Sequence, residues 1–398
     1  MRPFFAFTRR LAPPPTPSRN RRAPGRLEEI LCYAALLLVT GCGKFFPPLS
    51  SGGGGTGTSG DYLYVGNVGT NPLTVAGFSI ANSALSGISG SPWTVALEPT
   101  ALAVTPNNDY LYVGSAAGGI YVYTISSDGA ISLGNNGTPV ATGVVPQVLR
   151  VDPTGAWLLG ADSLAGEAYV FQIGTGGTLT SISTSVVTLN ATVPAEDLEI
   201  TPSENYVYVS CGTAGVYTLS FDPSSGALAQ INSVLSPKQN GDADYGMAID
   251  PSGSFLLTAE TGIGAVRVLS INSSDGTLSE VSGSPFTTGT GAFSVLVDAT
   301  GAYVYVANRT VGNISAFTLD STSGALTAVS GSPFSTGSLP ERMVEDNSGT
   351  YIAVVSAGGK PDLQLFTIST STPGALTSFA TSTTGTDPTE ASSIAATH

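Results

Sequence analysis

The chain has 398 residues, a formal charge of −14 and only 11% charged side chains, with 49 glycines and 41% hydrophobic residues. From residue 43 onward seven basic residues face 26 acidic ones, a balance of −19 that repels phosphate backbones and excludes a nucleic-acid binder. Abundant Gly and β-branched residues at low charge suit stacked sheets covered on both faces, and the one unbroken apolar run is too short for a spanning helix.

That run, in "ILCYAALLLVTGCGK" (Ile30–Lys44), follows an Arg-rich segment, which is the pattern of an export signal. Val39-Thr40-Gly41-Cys42 resembles the lipobox of bacterial lipoproteins. The resemblance implies lipidation of Cys42, cleavage before it, a membrane partner and a cell-envelope location. Gly43 rather than Asp follows, which favours the outer membrane or the surface. Residues 43–60 ("GKFFPPLSSGGGGTGTSG") read as a flexible tether. The expected division is therefore 1–42 export segment, 43–60 tether and 61–398 folded body. Cys211 is the one thiol of that body, so no intrachain disulfide is expected there, and it reads as a buried filler of "YVYVSC".

The body repeats. The first aromatic of a recurring phrase falls at Tyr62, Tyr110, Trp157, Tyr206, Phe255, Tyr303 and Tyr351, at intervals of 47 to 49 residues. Each copy opens with a β-branched and aromatic strand such as "YLYVG". A Gly-containing turn follows, then a second strand such as "GIYVYTI", and a tight turn such as "DPSSGAL", where Asp and Gly supply the side-chain bond and the positive φ. A short strand leads to "SGSPW" or "SGSPF", and a run such as "MAIDP" delivers the chain to the next copy. Four short strands per copy, apolar on both sides, predict an all-β, seven-bladed β-propeller of four-stranded antiparallel blades. The chain starts the body on the first aromatic strand and ends on "DPTEASSIAAT" (Asp387–Thr397), so the N- and C-terminal segments are expected to share one blade. Such a closed ring is expected to be a monomer. WD40 and kelch signatures are missing, and a membrane barrel would show a shorter unit.

"YVYVAN" followed by "ISAFTLD…SGAL" and "DPSG" resembles the lactonase-like seven-bladed propellers over Asp61–His398. That group includes the propeller form of bacterial phosphogluconolactonase and the fungal muconate-lactonising enzyme, and it overlaps with YVTN-repeat surface proteins. The resemblance implies a site in the central channel with inward-facing His, Arg and Glu, and a blade junction reading Pro-His. Here that junction reads Pro146-Gln147-Val148, and Gln147 cannot act as a base near neutral pH.

No other histidine substitutes, because His398 stands at the C-terminal residue, where fraying is expected. With one His and one thiol, neither a His/Cys metal site nor a His-based nucleophile system can be assembled, and no metal or other cofactor is expected. "NGDADYG" (Asn240–Gly246) offers oxygen ligands without EF-hand spacing and reads as a loop. Aligned inner strands place Thr100, Gln147, Glu196, Tyr245, Phe293, Glu341 and Thr389 at the channel mouth, with Asp197, Asp244, Arg342 and Glu390 beside them. Glu196 and Glu341 form the candidate acid/base pair, and Arg342 the candidate oxyanion partner. Arg150, Arg267 and Arg309 are the other arginines of the body. The leading expectation is an envelope-anchored propeller that binds a protein or carbohydrate. The alternatives are a lactone hydrolase using those channel residues, and a surface adhesin.

Overall fold

The computed structural model describes residues 60–398 apart from 69–71, 82–83, 190–192, 240–241, 360 and 386–389. Cys42, the export segment, the tether up to Ser59, and Thr389 lie outside the described residues. The first aromatic strand, Tyr62–Val68, shows why the chain folds as it does. Leu63, Tyr64 and Val65 are all fully buried, yet successive residues of a strand point to opposite faces. A strand of this kind has to be covered from both sides.

Seven antiparallel sheets meet that demand. We number the blades 1 to 7 from the N-terminal strand. Their inner strands are Glu390–Ala396, Pro99–Val104, Pro146–Val151, Asp197–Ile200, Asp244–Ile249, Ala292–Val297 and Pro340–Glu345. Each inner strand lies against the next, and Glu390–Ala396 contacts those of blades 2 and 7, which closes the ring. Among the described residues the apolar side chains form seven cores, one between each pair of neighbouring blades. Tyr64 enters the core shared with blade 2, whereas Leu63 and Val65 enter the one shared with blade 7.

The ends share blade 1, as expected. Tyr62–Val68 pairs antiparallel with Glu390–Ala396, and the ladder continues beyond it. The Tyr62 amide donates to Thr397 Oγ1 at 2.8 Å, and the Thr397 amide to the Tyr62 carbonyl at 3.0 Å. His398 differs from the frayed terminus expected. Its amide donates to Asn108 Oδ1 at 2.9 Å and its carbonyl accepts from Asn108 Nδ2 at 2.8 Å, because the docked strand carries it onto blade 2.

Three sheets differ from the four-stranded expectation. In blades 1, 5 and 6 a fifth, two-residue strand (Trp93–Thr94, Phe286–Thr287, Phe334–Ser335) follows the "SGSP" phrase. The Ser before each cis proline accepts the amide that the interrupted ladder leaves free. Ser91 takes the Gly77 amide, Ser284 that of Val268, and Ser332 that of Ala316, at 2.7 to 3.0 Å. Blades 3, 4 and 7 keep one continuous outer strand with a bulge.

Two devices recur at the end opposite the mouth. Asp152, Asp250, Asp298 and Asp346 are buried, and each accepts the amide five residues on at 2.6 to 2.7 Å, which seals the turn into the aromatic strand. Between blades, the phenols of Tyr64, Tyr112, Tyr208 and Tyr305 donate to the carbonyls of Gly129, Gly177, Gly276 and Gly374 in the following blade.

Candidate functional site

The inner strands run side by side, so their leading residues converge around one mouth of the channel. Thr100, Gln147, Glu196, Tyr245, Phe293 and Glu341 are all half-buried there. Glu390 opens the inner strand of blade 1, opposite Val68 in the ladder.

An aromatic and cationic layer fills part of the mouth. The Tyr245 and Phe293 rings lie 5.0 Å apart and 34° from parallel. The guanidinium groups of Arg309 and Arg342 stand 5.4 and 5.5 Å from the Phe293 ring centre, within cation–π range. Arg309 donates through Nε and Nη2 to Glu341 Oε1 at 2.9 and 2.7 Å, so Glu341 is engaged in an ion pair. Arg342, from blade 7, donates through Nη2 to the Glu196 carbonyl, at the entrance to blade 4, at 3.3 Å. Among the described residues Arg150, Arg267 and Arg309 each have a carboxylate partner, and Arg342 has none.

Beneath this layer the channel holds a cavity of about 370 Å³ bordered by all seven inner strands. Its wall mixes apolar and polar surface in similar measure, with Arg342 and Asp197 near the mouth and Arg150, Glu199, Glu345 and His398 among its polar groups. Arg150 Nη2 bonds Asp197 Oδ1 at 3.1 Å and Glu199 Oε1 at 2.9 Å. Asp197 is buried and also accepts the Met247 amide at 2.9 Å, which ties blade 4 to blade 5.

Burial shapes the charges here. Desolvation raises the Glu196 carboxyl above the usual range, Arg342 opposes the rise and Asp197 adds to it. Glu345 is pushed up to about 7 by burial, against a hydrogen bond from the Ala299 amide and with the help of Asp298 and Asp346. Burial also raises Glu199, and Arg150 offsets part of that. The Cys211 thiol is pushed up to about 12 by burial and by Glu196, as befits a packed filler.

The structure therefore brings Glu196, Tyr245, Phe293, Glu341 and Arg342 together, adds Arg309, and places Asp197 just below. Asp244 sits elsewhere: it is fully buried inside blade 5, accepting the Thr258 hydroxyl at 3.2 Å. Glu199 and Glu345 went unnoticed in the sequence because their inner strands carry no motif at those positions. Among the described residues no group of three or more His, Cys, Asp or Glu side chains is arranged to hold a metal ion.

The family described as "Lactonase, 7-bladed beta-propeller" matches residues 62–392. No curated protein matches the chain. Among solved structures, the periplasmic gluconolactonase PpgL of Pseudomonas aeruginosa superposes with a TM-score of 0.70 at 16% identity, over 85% of this chain and 99% of that one. A protein of Lactobacillus plantarum gives 0.70 at 19% identity, over 85% and 100%. A Bacteroides uniformis protein described as a candidate 6-phosphogluconolactonase gives 0.69 at 17%, over 85% and 99%. At these identities the structural likeness carries the fold alone, whereas the family match spans most of the chain. The chain belongs to the lactonase family of seven-bladed β-propellers.

Proposed function

We propose that this chain is an envelope-anchored propeller whose channel binds a small carbohydrate-derived acid or its lactone, with Arg342 as the anion receptor. The observation that carries this reading is the guanidinium of Arg342. Among the described residues it has no carboxylate partner, and it stands between the aromatic pair at the mouth and the cavity below. A planar fork of donors in a half-buried place suits a ligand carboxylate or a polarised lactone carbonyl. Tyr245 and Phe293 offer an apolar face for a sugar ring. The channel apart, the acidic balance of the body favours its solubility. Anchoring through Cys42 is part of the proposal, and an acylated Cys42 peptide in the mass spectrum of the membrane fraction, lost in Cys42→Ser, is the expected finding.

Lactone hydrolysis is the second reading, favoured by the raised carboxyl of Glu196 beside Arg342. In that chemistry Glu196 takes a proton from water as the oxygen attacks the lactone carbon. Arg342 stabilises the developing oxyanion, and as it collapses and the ring C–O bond breaks Glu196 returns the proton to the leaving alkoxide oxygen, giving the hydroxy acid. Titration of the purified full chain with gluconate, and pH-stat assay of a lactone panel, separate the two. Saturable gluconate binding lost in Arg342→Ala supports the binding reading. Turnover abolished by Glu196→Gln establishes the hydrolase instead. Neither binding nor turnover with any acid or lactone would overturn both.

A further inference from the structure

Blade 5 buries a second charged cluster, separate from the channel residues. Asp244 opens the inner strand and stands directly across the ladder from Glu260. Both are 0% exposed, Asp242 just upstream is 3% exposed and Arg267 in the third strand is 4% exposed. Each carboxylate satisfies one oxygen. Asp242 Oδ1 accepts the Ala243 and Gly262 amides at 2.8 and 2.7 Å, and Asp244 Oδ1 the Thr258 hydroxyl. Glu260 Oε1 accepts the Lys238 amide at 2.8 Å and Arg267 Nη1 at 3.2 Å. The remaining oxygens, Asp242 Oδ2, Asp244 Oδ2 and Glu260 Oε2, are buried without a partner.

Three carboxylates against one guanidinium leave an excess of negative charge out of water, which an interior tolerates only if it is compensated. The neighbouring groups do not supply that. Lys238 Nζ is taken by Glu280 at 2.7 Å, Arg267 Nε is 3.8 Å from the same Glu280, and blade 4 contributes the Gly212 carbonyl, which accepts the Asp244 amide at 3.1 Å. The three carboxylates are not arranged as a metal-ligand set. A proton is the remaining compensation, and a protonated carboxyl is a donor for an orphaned oxygen.

The same groups fasten the connection from blade 4 to blade 5. Arg267 Nη1 holds the Ser236 carbonyl at 2.8 Å, Glu260 holds the Lys238 amide, and Asp242 is held by the Gly262 amide. This connection delivers Tyr245 to the mouth. We propose that Asp244 and Glu260 hold a proton between them in the folded propeller and form a pH-sensitive latch on the connection into blade 5 at Ser236, Lys238 and Asp242. The latch is shut while the proton is held and loosened when it leaves for solvent. Burial pushes Asp244 up to about 7, with Glu260 reinforcing and Arg267 opposing the shift, and burial raises Glu260 as well. Raised carboxyls are protonated in the folded chain where the unfolded chain is already ionised, so folding takes up protons. The contribution therefore weakens as pH rises from about 4 towards 7, and the charge is fully present above that.

Hydrogen exchange on the full chain at pH 5.5 and 8.5, corrected for intrinsic rates, tests the latch. Protection of the Lys238, Asp242 and Ala243 amides is expected to fall about tenfold at the higher pH, the equivalent of a single pKa unit. It is expected to stay level in Asp244→Asn, which mimics the protonated form, and in Glu260→Gln should the first variant fail to fold. Equal protection at both pH values in the unmodified chain would overturn the proposal, as would a fall retained in either variant. Calcium that restores protection at pH 8.5 would also overturn it, since the three oxygens would then take a cation rather than a proton.

Discussion

The phenol of Tyr208 donates to the carbonyl of Gly276, 2.9 Å away, 68 residues downstream and in the next blade. Gly276 has φ 73°, and a Cβ there would come within 2.5 Å of the Tyr206 ring. One tyrosine of the recurring Tyr-x-Tyr therefore packs on the neighbour's turn while the other bonds it. This explains why the aromatic phrase and the glycine turn recur together.

Replacing Tyr208 by Phe strands a buried carbonyl and is expected to cost about 1–2 kcal/mol in urea unfolding. Gly276→Ala is expected to cost more, since the left-handed backbone alone opposes a Cβ by about 1–2 kcal/mol and Tyr206 must also move. Equal losses in the two variants would contradict the tight turn.

Closure gives a second expectation. Thr397→Val removes the acceptor of the Tyr62 amide and should cost about 1–3 kcal/mol, read from the denaturation midpoint. Deleting Glu390–His398 bares the edge of the N-terminal strand, and size-exclusion chromatography should show association or aggregation in place of the native peak.

At the mouth, Arg342→Ala should weaken gluconate binding by about 10–100-fold, the worth of hydrogen bonds to a charged group. Arg342→Lys should fall between, because it keeps the charge and loses the planar fork. Calorimetric titration of the three proteins gives the order directly.

The Glu196 carboxyl adds a pH dependence. Its raised titration leaves it neutral to a higher pH than an ordinary Glu, and an ionised Glu196 repels an anionic ligand. Affinity is therefore expected to fall as pH rises through that raised titration. Glu196→Gln should bind with the same affinity across the range. A profile unchanged by the substitution would assign the effect to another group.

Much of this architecture is written in the chain because one interaction is repeated. The first aromatic of each phrase, recurring every 47 to 49 residues, fixes the blade number, and the unfinished strands at Tyr62 and Glu390 announce the shared blade. The fifth strands of blades 1, 5 and 6 could not be counted, since they depend on one Ser hydroxyl capturing one amide. The channel was legible at its mouth and not below. Six of the seven inner strands shift register against their neighbour near the mouth, and below it Glu199 and Glu345 stand at positions that no recurring phrase marks. Alignment of the inner strands sets Asp244 beside the mouth residue Tyr245, and the bulge between Asp244 and Met247 goes with its position inside the blade instead. The pairing of Arg309 with Glu341 joins blades 6 and 7, and no spacing in the sequence encodes it.

Gly60 and Thr397 meet at the seam, where the Gly60 carbonyl accepts the Thr397 hydroxyl at 3.0 Å. A circle stitched in this way has no privileged beginning. A short peptide splicing the two ends, with a new cut made between any two blades, would leave the set of strand pairings as it is. The order of genes' reading and the order of sheets in space are thus separable in this molecule, and permuted versions should assemble the same ring.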